Sequence, residues 1–345
     1  MLSSPAEVAR RARGRLTGRL HSLPILALHV HTACNCRCVM CDIWKANAAK
    51  REIGADELTR HMEAIRALRV RRVMLTGGEP LLHSNLWALC DLLRAEGIQI
   101  SLVTTGLLLD AYAEPIIRTI DEVVVSIDGP PSVHDRIRRV PGGFAKVRRG
   151  IDALKRRASA PRIVVRSVVQ KANHAVLCET IQEVAATGAD VLSFLAADVF
   201  SPAFNRPSPW DETRRGEIAL DSDDLPILAT TIARAEQECG DRFASGFVVG
   251  GSRSLWRLHD YYRALAGAGA LPRVRCRAPW VSAVLEADGT LRPCFFHNAY
   301  PRAERLDDAL NSPEAIRFRR TLDVARNETC RRCVCSLALP FTREP

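Results

Sequence analysis

The sequence predicts an α/β fold in which a six-stranded parallel sheet is followed by a small, cysteine-rich α+β module. Two observations carry that expectation. Between residues 25 and 195, short β-rich apolar runs alternate with longer segments of helical periodicity at a repeat of roughly 25 to 35 residues, the signature of βαβ units. Beyond residue 200 the alternation gives way to a proline- and aromatic-rich stretch, two helical segments, and a region where strands and cysteines dominate. A chain of 345 residues suits one large α/β domain plus a smaller module. Right-handed crossovers are compatible with an open sheet and with a partial barrel.

Taken in order, residues 1–24 are rich in arginine and predict a basic surface helix ahead of the first strand. They lack the apolar stretch of roughly 7 to 15 residues that a signal peptide needs, although a transit peptide would share the arginine bias. Strands are expected at 25–31, 72–76, 98–104, 122–127, 162–169 and 191–195, with helices at 55–68, 85–96, 111–118, 143–157 and 175–187. The run FSPAFNRPSPW, residues 200–210, reads as an irregular linker. Helices follow at about 224–239 and 252–266, and WVSAVLEADGTLRPCFF, residues 280–296, reads as a β-hairpin turning at Ala287, Asp288 and Gly289. The domains expected are therefore an N-terminal basic helix (1–24), a core (25–200), a linker and helical segment (201–272) and a cysteine-rich domain (273–345).

Composition narrows the function classes. With 47% hydrophobic and 26% charged residues the chain is neither disordered nor a membrane protein, and its longest apolar runs fall far short of the roughly 20 residues that cross a bilayer. The formal net charge of +10 admits phosphates as ligands. The arginines are spread over helical surface positions with no aromatic-interleaved stripe, so a nucleic-acid partner is not expected. Twelve cysteines without a secretion signal argue for a reducing, cytoplasmic setting rather than a disulfide framework. Cys90, Cys178 and Cys239 fall singly in helical patterns and read as buried structural thiols.

The other cysteines are grouped. CNCRCVMC, residues 34–41, follows the first expected strand, and Cys34, Cys38 and Cys41 within it have the spacing C-x3-C-x2-C. Three thiolates from one loop suit three irons of a [4Fe-4S] cubane, leaving one iron open for a ligand. TGGEP (76–80), VTTGLLL (103–109) and SIDGPPSVHDRIR (126–138) end the next three strands, where ligands bind in parallel α/β folds. Gly77 and Gly78 permit close approach, Glu79 offers a carboxylate to an ammonium group, Pro80 stiffens the turn, and Ser126 and Arg138 supply donors for oxygens.

This set of motifs resembles the radical S-adenosylmethionine superfamily, and the resemblance covers nearly the whole chain. It implies a partial (βα)6 TIM-like barrel with a small C-terminal cysteine-rich α+β domain. It implies that Cys34, Cys38 and Cys41 hold the cluster, with Cys36 a spectator. It also implies that Gly77, Gly78, Glu79, Pro80, Thr104, Thr105, Ser126 and Arg138 bind S-adenosylmethionine. Met40 stands where an aromatic residue usually flanks the adenine, and the asparagine usual after Thr104 and Thr105 is missing. Asp128 and His134 lie in the same stretch, with structural roles as good a reading as ligand contact.

Cys276, Cys294, Cys330 and Cys333 resemble a twitch domain, a shortened form of the SPASM extension, which implies one auxiliary [4Fe-4S] cluster with Cys335 left over or substituting for a neighbour. A four-thiolate zinc site is the alternative. His297, three residues past Cys294, is a capping or packing residue more often than a ligand. The resemblance implies reductive cleavage of S-adenosylmethionine to a 5′-deoxyadenosyl radical that abstracts hydrogen, with an electron donor such as flavodoxin or ferredoxin. A fully ligated second cluster favours oxidation of the substrate over epimerisation. With about 24 residues ahead of the first strand, where peptide maturases often carry a leader-binding domain, a small metabolite is expected. The alternatives are a peptide or protein maturase, an RNA-modifying enzyme, and a non-catalytic iron-sulfur or zinc protein.

Overall fold

The computed structural model describes residues 3–340 and 342–343; the ends of the first and last expected segments, residues 1–2, 341 and 344–345, lie outside the described residues. In chain order the elements begin α1 (Pro5–Thr17), β1 (Ile25–His31), α2 (Ala55–Ala67), β2 (Arg72–Gly77), α3 (Leu86–Ala95), β3 (Gln99–Thr104), α4 (Ala113–Thr119) and β4 (Glu122–Ser126). They continue with α5 (Pro131–Arg138), α6 (Gly143–Lys155), β5 (Arg162–Val169), α7 (Leu177–Ala186), β6 (Val191–Ala196), α8 (Glu212–Ile218), α9 (Asp224–Glu238), α10 (Gly240–Ala244) and α11 (Gly251–Leu265). The last are α12 (Ala278–Val281), β7 (Ser282–Leu285), β8 (Leu291–Arg292), α13 (Leu306–Leu310), α14 (Pro313–Thr321) and α15 (Glu328–Arg331). All six expected core strands form, each within a residue or so of its expected bounds.

The chain divides into two compact units: one is made of the residues up to Cys34, Lys45–Val103 and the chain from Val274, the other of Asn35–Trp44 and Thr104–Arg273. In the first, the strand order is β3-β2-β1-β7-β8, parallel except for the antiparallel β7–β8 hairpin. β7 lies alongside β1 in register, Ile25 opposite Ser282 and Leu28 opposite Leu285. Leu26, Leu28 and Val30 are fully buried, the near-continuous apolar run of a strand covered on both faces. α1 lies at the surface with one face packed inward, Arg13, Arg15 and Leu16 being exposed. Arg11 is only 2% exposed and donates to Glu7 Oε1 at 3.1 Å, and the helix packs on α12 and α14. Its arginines serve packing as well as charge.

In the second unit β4, β5 and β6 pair in parallel, with Ser126, Arg166 and Ser193 side by side in register. Ile163, Val165, Ser167 and Val169 alternate into the buried face of β5. α9 packs on α7 and α11, and Tyr262 of α11 donates its hydroxyl to the Val169 carbonyl while accepting from the Ala197 amide. α5 and α8 are helices within stretches that read from sequence as a motif and an unassigned segment. α5 starts at a proline, which is well suited to a first helical turn, and α8 is capped by Asp211, whose side chain accepts from Arg214 N–H at 2.8 Å.

Candidate functional site

The start of the first cysteine loop belongs to the first unit. Cys34 N–H donates to Asn47 Oδ1, and Asn47 Nδ2 donates back to the Cys34 carbonyl, both at 2.9 Å. The glycine turn after β2 docks on the same backbone: Gly78 N–H donates to His31 O at 2.8 Å and Glu79 N–H to Ala33 O at 2.9 Å. A Cβ on Gly77 would stand 2.3 Å from the His31 carbonyl oxygen, and one on Gly78 2.1 Å from that of Ala33. The space expected for a ligand's close approach is thus taken by the chain's own carbonyls. Glu79 is fully buried, and its Oε1 accepts from Leu81 N–H at 3.0 Å, capping the short 3-10 turn that Pro80 begins.

The rest of the loop belongs to the second unit, where it is fastened along its length. Arg37 and Val39 donate their amides to the carbonyls of Arg138 and Ile137 at the end of α5, and Thr105 Oγ1 donates to Asn35 Oδ1 at 3.0 Å. Trp210 Nε1 donates to Asp42 Oδ2 at 2.8 Å, Asn205 Nδ2 to the Asp42 carbonyl at 3.2 Å, and the Arg214 guanidinium to the Val39 carbonyl. Met40 packs, partly buried, against Ala197, Val199 and Ile218. The expected linker is therefore a brace for the cysteine loop. Its aromatic and proline content was the visible signal; its target was not. Thr104 Oγ1 accepts from Gly106 N–H at 3.0 Å and shapes the turn after β3.

Arg138 is 8% exposed and donates from Nε to Asp128 Oδ2 at 2.6 Å and from Nη1 to Cys38 Sγ at 3.6 Å. Burial works against the charged guanidinium, but Asp128, then Cys38 and Cys36, more than offset it and hold the group charged. Asp128, wholly buried, also accepts from Val168 N–H at 2.8 Å. Arg138 is thus turned to the chain's own groups. A hydrogen bond from the Cys36 thiol, and after it the Arg138 charge, bring the Cys38 thiol down to about 6 although burial pushes it up. His134, lowered to about 4 by burial and then by Arg138, sits neutral with Nδ1 3.3 Å from the Asp128 amide that donates to it.

Sequence reasoning missed Arg166. Its Nε is buried with no hydrogen-bond partner among the described residues, one strand from Ser126 and in register with it. The signal was available: in RIVVRSVV it is the single charge inside an apolar strand.

The second cysteine group lies in the first unit. Burial raises the Cys294 thiol to about 11 and the Cys330 thiol to about 12, with Cys276 adding to both by charge repulsion and Cys335 adding to the first. Cys333 is raised too, by burial and then by Cys335, Cys276 and Cys294. Cys335, the left-over thiol, thus acts on Cys294 and Cys333. His297 Nε2 stands 3.3 Å from Cys330 Sγ, its ring edge-on to Phe318.

The donor chemistry fits iron-sulfur ligation. Cys41, Cys276 and Cys333 each accept an amide N–H from two residues on, at 3.5, 3.4 and 3.4 Å, the kind of N–H···S contact that surrounds cluster-bound sulfurs. Among the described residues no three His, Cys, Asp or Glu side chains are drawn together around one point as a single ion would require. Nor is any helix among them long and apolar enough to cross a membrane.

Comparison with known proteins gives two family matches: the radical SAM superfamily over residues 28–184 and the SPASM iron-sulfur cluster-binding domain over residues 276–334. Among curated relatives, a probable GTP 3′,8-cyclase of Methanopyrus kandleri is 38% identical over 103 residues, 29% of this chain and 33% of the relative. The pre-heme d1 synthase of Dinoroseobacter shibae is 27% identical over 222 residues, 64% of this chain and 52% of the relative. The chain thus spans about a third to a half of these relatives. Streptococcus suis SuiB, solved with its precursor peptide SuiA, superposes with a TM-score of 0.61 at 14% identity, covering 98% of this chain and 78% of SuiB. Native anSMEcpe with bound AdoMet gives 0.64 at 17%, covering 90% and 86%. At these identities the likeness shows the fold.

Proposed function

The chain belongs to the radical SAM superfamily and carries a SPASM domain, with [4Fe-4S] clusters and S-adenosylmethionine as its cofactors, and from that premise we propose that it is an enzyme oxidising a small metabolite. In this reading Cys34, Cys38 and Cys41 hold the first cluster, and Cys276, Cys294, Cys330 and Cys333 hold an auxiliary one. The chemistry the bound cofactors supply is one-electron cleavage of S-adenosylmethionine to methionine and a 5′-deoxyadenosyl radical that takes hydrogen from the substrate.

The chain's own residues do the rest. Arg138 and Cys36 keep Cys38 ready as a thiolate, and the backbone contacts of Gly78 and Glu79 hold the start of the cysteine loop. Ser126 and the unpartnered Arg166 receive the methionyl carboxylate, since Arg138 is already committed to Asp128. Cys276, Cys294, Cys330 and Cys333 would hold the second cluster, which would supply an acceptor for the electron left by oxidation of the substrate.

The Arg138–Cys38 contact carries this reading, because it places a fixed cation beside a thiol of the C-x3-C-x2-C loop. The names of the curated relatives, a GTP cyclase and a pre-heme d1 synthase, favour a small molecule. A peptide substrate is the second reading, favoured by the fold shared with SuiB over 98% of the chain. Anaerobic reconstitution followed by reduction with S-adenosylmethionine tests the enzyme class. Release of 5′-deoxyadenosine is expected, and its loss in Cys38→Ala or Cys41→Ala. A fully loaded, reduced protein that released none would overturn the proposal.

A further inference from the structure

Two cysteines expected to be isolated structural thiols meet in the second unit. Cys178 sits in the first turn of α7 and Cys239 follows α9, yet their sulfurs are 3.3 Å apart and both are buried, at 1% and 4% exposure. Around them the polar groups are aimed at one sulfur. The Cys178 thiol donates to Glu238 Oε2 at 3.1 Å, and Gln182 Nε2 reaches the same sulfur at 3.6 Å. Cys239 lines a cavity of about 360 Å³, together with Gln182, Glu238, Asp241 and Arg242.

We propose that Cys178 and Cys239 form a thiol–disulfide exchange site whose reaction partner is a low-molecular-weight disulfide admitted through this cavity. Cys239 reacts first because it is the thiol that lines the cavity. Its thiolate attacks one sulfur of the small disulfide, whose S–S bond breaks, giving a mixed disulfide on Cys239 and one released thiol. Cys178 then attacks the Cys239 sulfur, its proton passing to Glu238, and a second small thiol leaves. The two protein thiols are oxidised together and the small disulfide is reduced to two thiols.

The division of labour follows from the surroundings. Burial, and after it the hydrogen bonds with Cys239 and Glu238, push the Cys178 thiol well up, so it stays protonated until an acceptor beside it takes the proton. Glu238 is that acceptor, and Gln182 supplies a donor to the sulfur as charge develops. A disulfide needs its sulfurs at about 2.05 Å, so the pair closes from van der Waals contact without either helix having to cross a gap.

The bond would close a loop of 61 residues. That loop contains Asn205, Trp210 and Arg214, the residues that brace the cysteine loop at Asp42 and Val39. Oxidation at the pair would therefore enclose in one covalent loop the segment that braces the cysteine loop.

The experiment needs neither a substrate nor radical chemistry, so its failure is distinguishable from failure of the proposed function. The reconstituted protein is held without oxygen in buffers of rising glutathione disulfide, quenched in acid with a thiol-blocking reagent, and mapped by mass spectrometry. The expected result is a peptide linking Cys178 to Cys239, lighter by two hydrogens than the separate peptides, which disappears on adding dithiothreitol. Urea unfolding should show a higher midpoint for the linked form. Cys178→Ser should trap glutathione on Cys239. Absence of the linked peptide from folded wild-type protein at every poise would overturn the proposal. So would trapped glutathione on Cys178 in Cys239→Ser with none on Cys239 in Cys178→Ser.

Discussion

The two cysteine groups are prepared for metal in opposite ways. At the first, a buried guanidinium and a neighbouring thiol draw Cys38 down to about 6, so a thiolate stands ready near neutral pH. At the second, burial and mutual repulsion push Cys294 and Cys330 up to about 11 and 12, and the closest side-chain partner of Cys330 is His297, whose own basicity burial lowers. On the proposed reading, the first loop would anchor its cluster with only three thiolates and would gain from a fixed cation. The second group would surround its cluster, where the metal itself can displace the protons. The lesson is that thiol count and thiol electrostatics are set separately in this chain.

Three changes test that contrast, from the largest effect to the smallest. Arg138→Met leaves Asp128 charged, wholly buried and without its ion-pair partner, so the metal-free protein should lose about 3–5 kcal/mol of stability in denaturant unfolding. A loss below about 1 kcal/mol would show that the loop does not depend on this pair. Arg166→Met should instead spare stability and weaken S-adenosylmethionine binding. Loss of a charge-assisted contact of about 1.5–3 kcal/mol corresponds to roughly a 10- to 150-fold higher Kd by equilibrium dialysis, with the affinity for the decarboxylated analogue unchanged. Equal weakening of both ligands would move the carboxylate elsewhere.

The third change concerns pH. The folded Cys38 thiol lies below the usual 9.0, so its stabilising contribution in the metal-free protein is complete above pH 9 and fades as pH falls toward about 6. Cys294 and Cys330 lie above the usual value, so their contribution is complete below pH 9 and fades as pH rises toward 11 and 12. Cys36→Ala removes the leading cause of the Cys38 shift. It should flatten the acid limb of the stability curve, leave the alkaline limb intact and keep the iron content unchanged. An unchanged acid limb would assign that limb to other groups.

How much of this was legible in the sequence depends on whether the responsible interaction is local. The strands were, because apolar runs of β-formers between helical periods state their own structure, and so were the three-cysteine spacing and the turn motifs. Asn47 was not, since nothing in its surroundings marks it as the clamp on Cys34. Trp210 and Asn205 announced an irregular segment without saying that it would cover Asp42, 163 to 168 residues away. Cys178 and Cys239 each looked ordinary on its own helix. Gly77 and Gly78 read in the sequence as room for a ligand's close approach, and only coordinates could show that the backbone of His31 and Ala33 takes that space.

The pairing of β7 with β1 has a consequence for how the polypeptide is made. One edge of β1, at Ile25, must wait during synthesis for Ser282 before its ladder is filled. At about 5–20 residues per second that interval is roughly ten to fifty seconds. Throughout it, an apolar strand with open amides and carbonyls is available to other nascent chains. Slow translation or truncation before β7 should therefore favour aggregation far more than the loss of a four-residue strand would suggest.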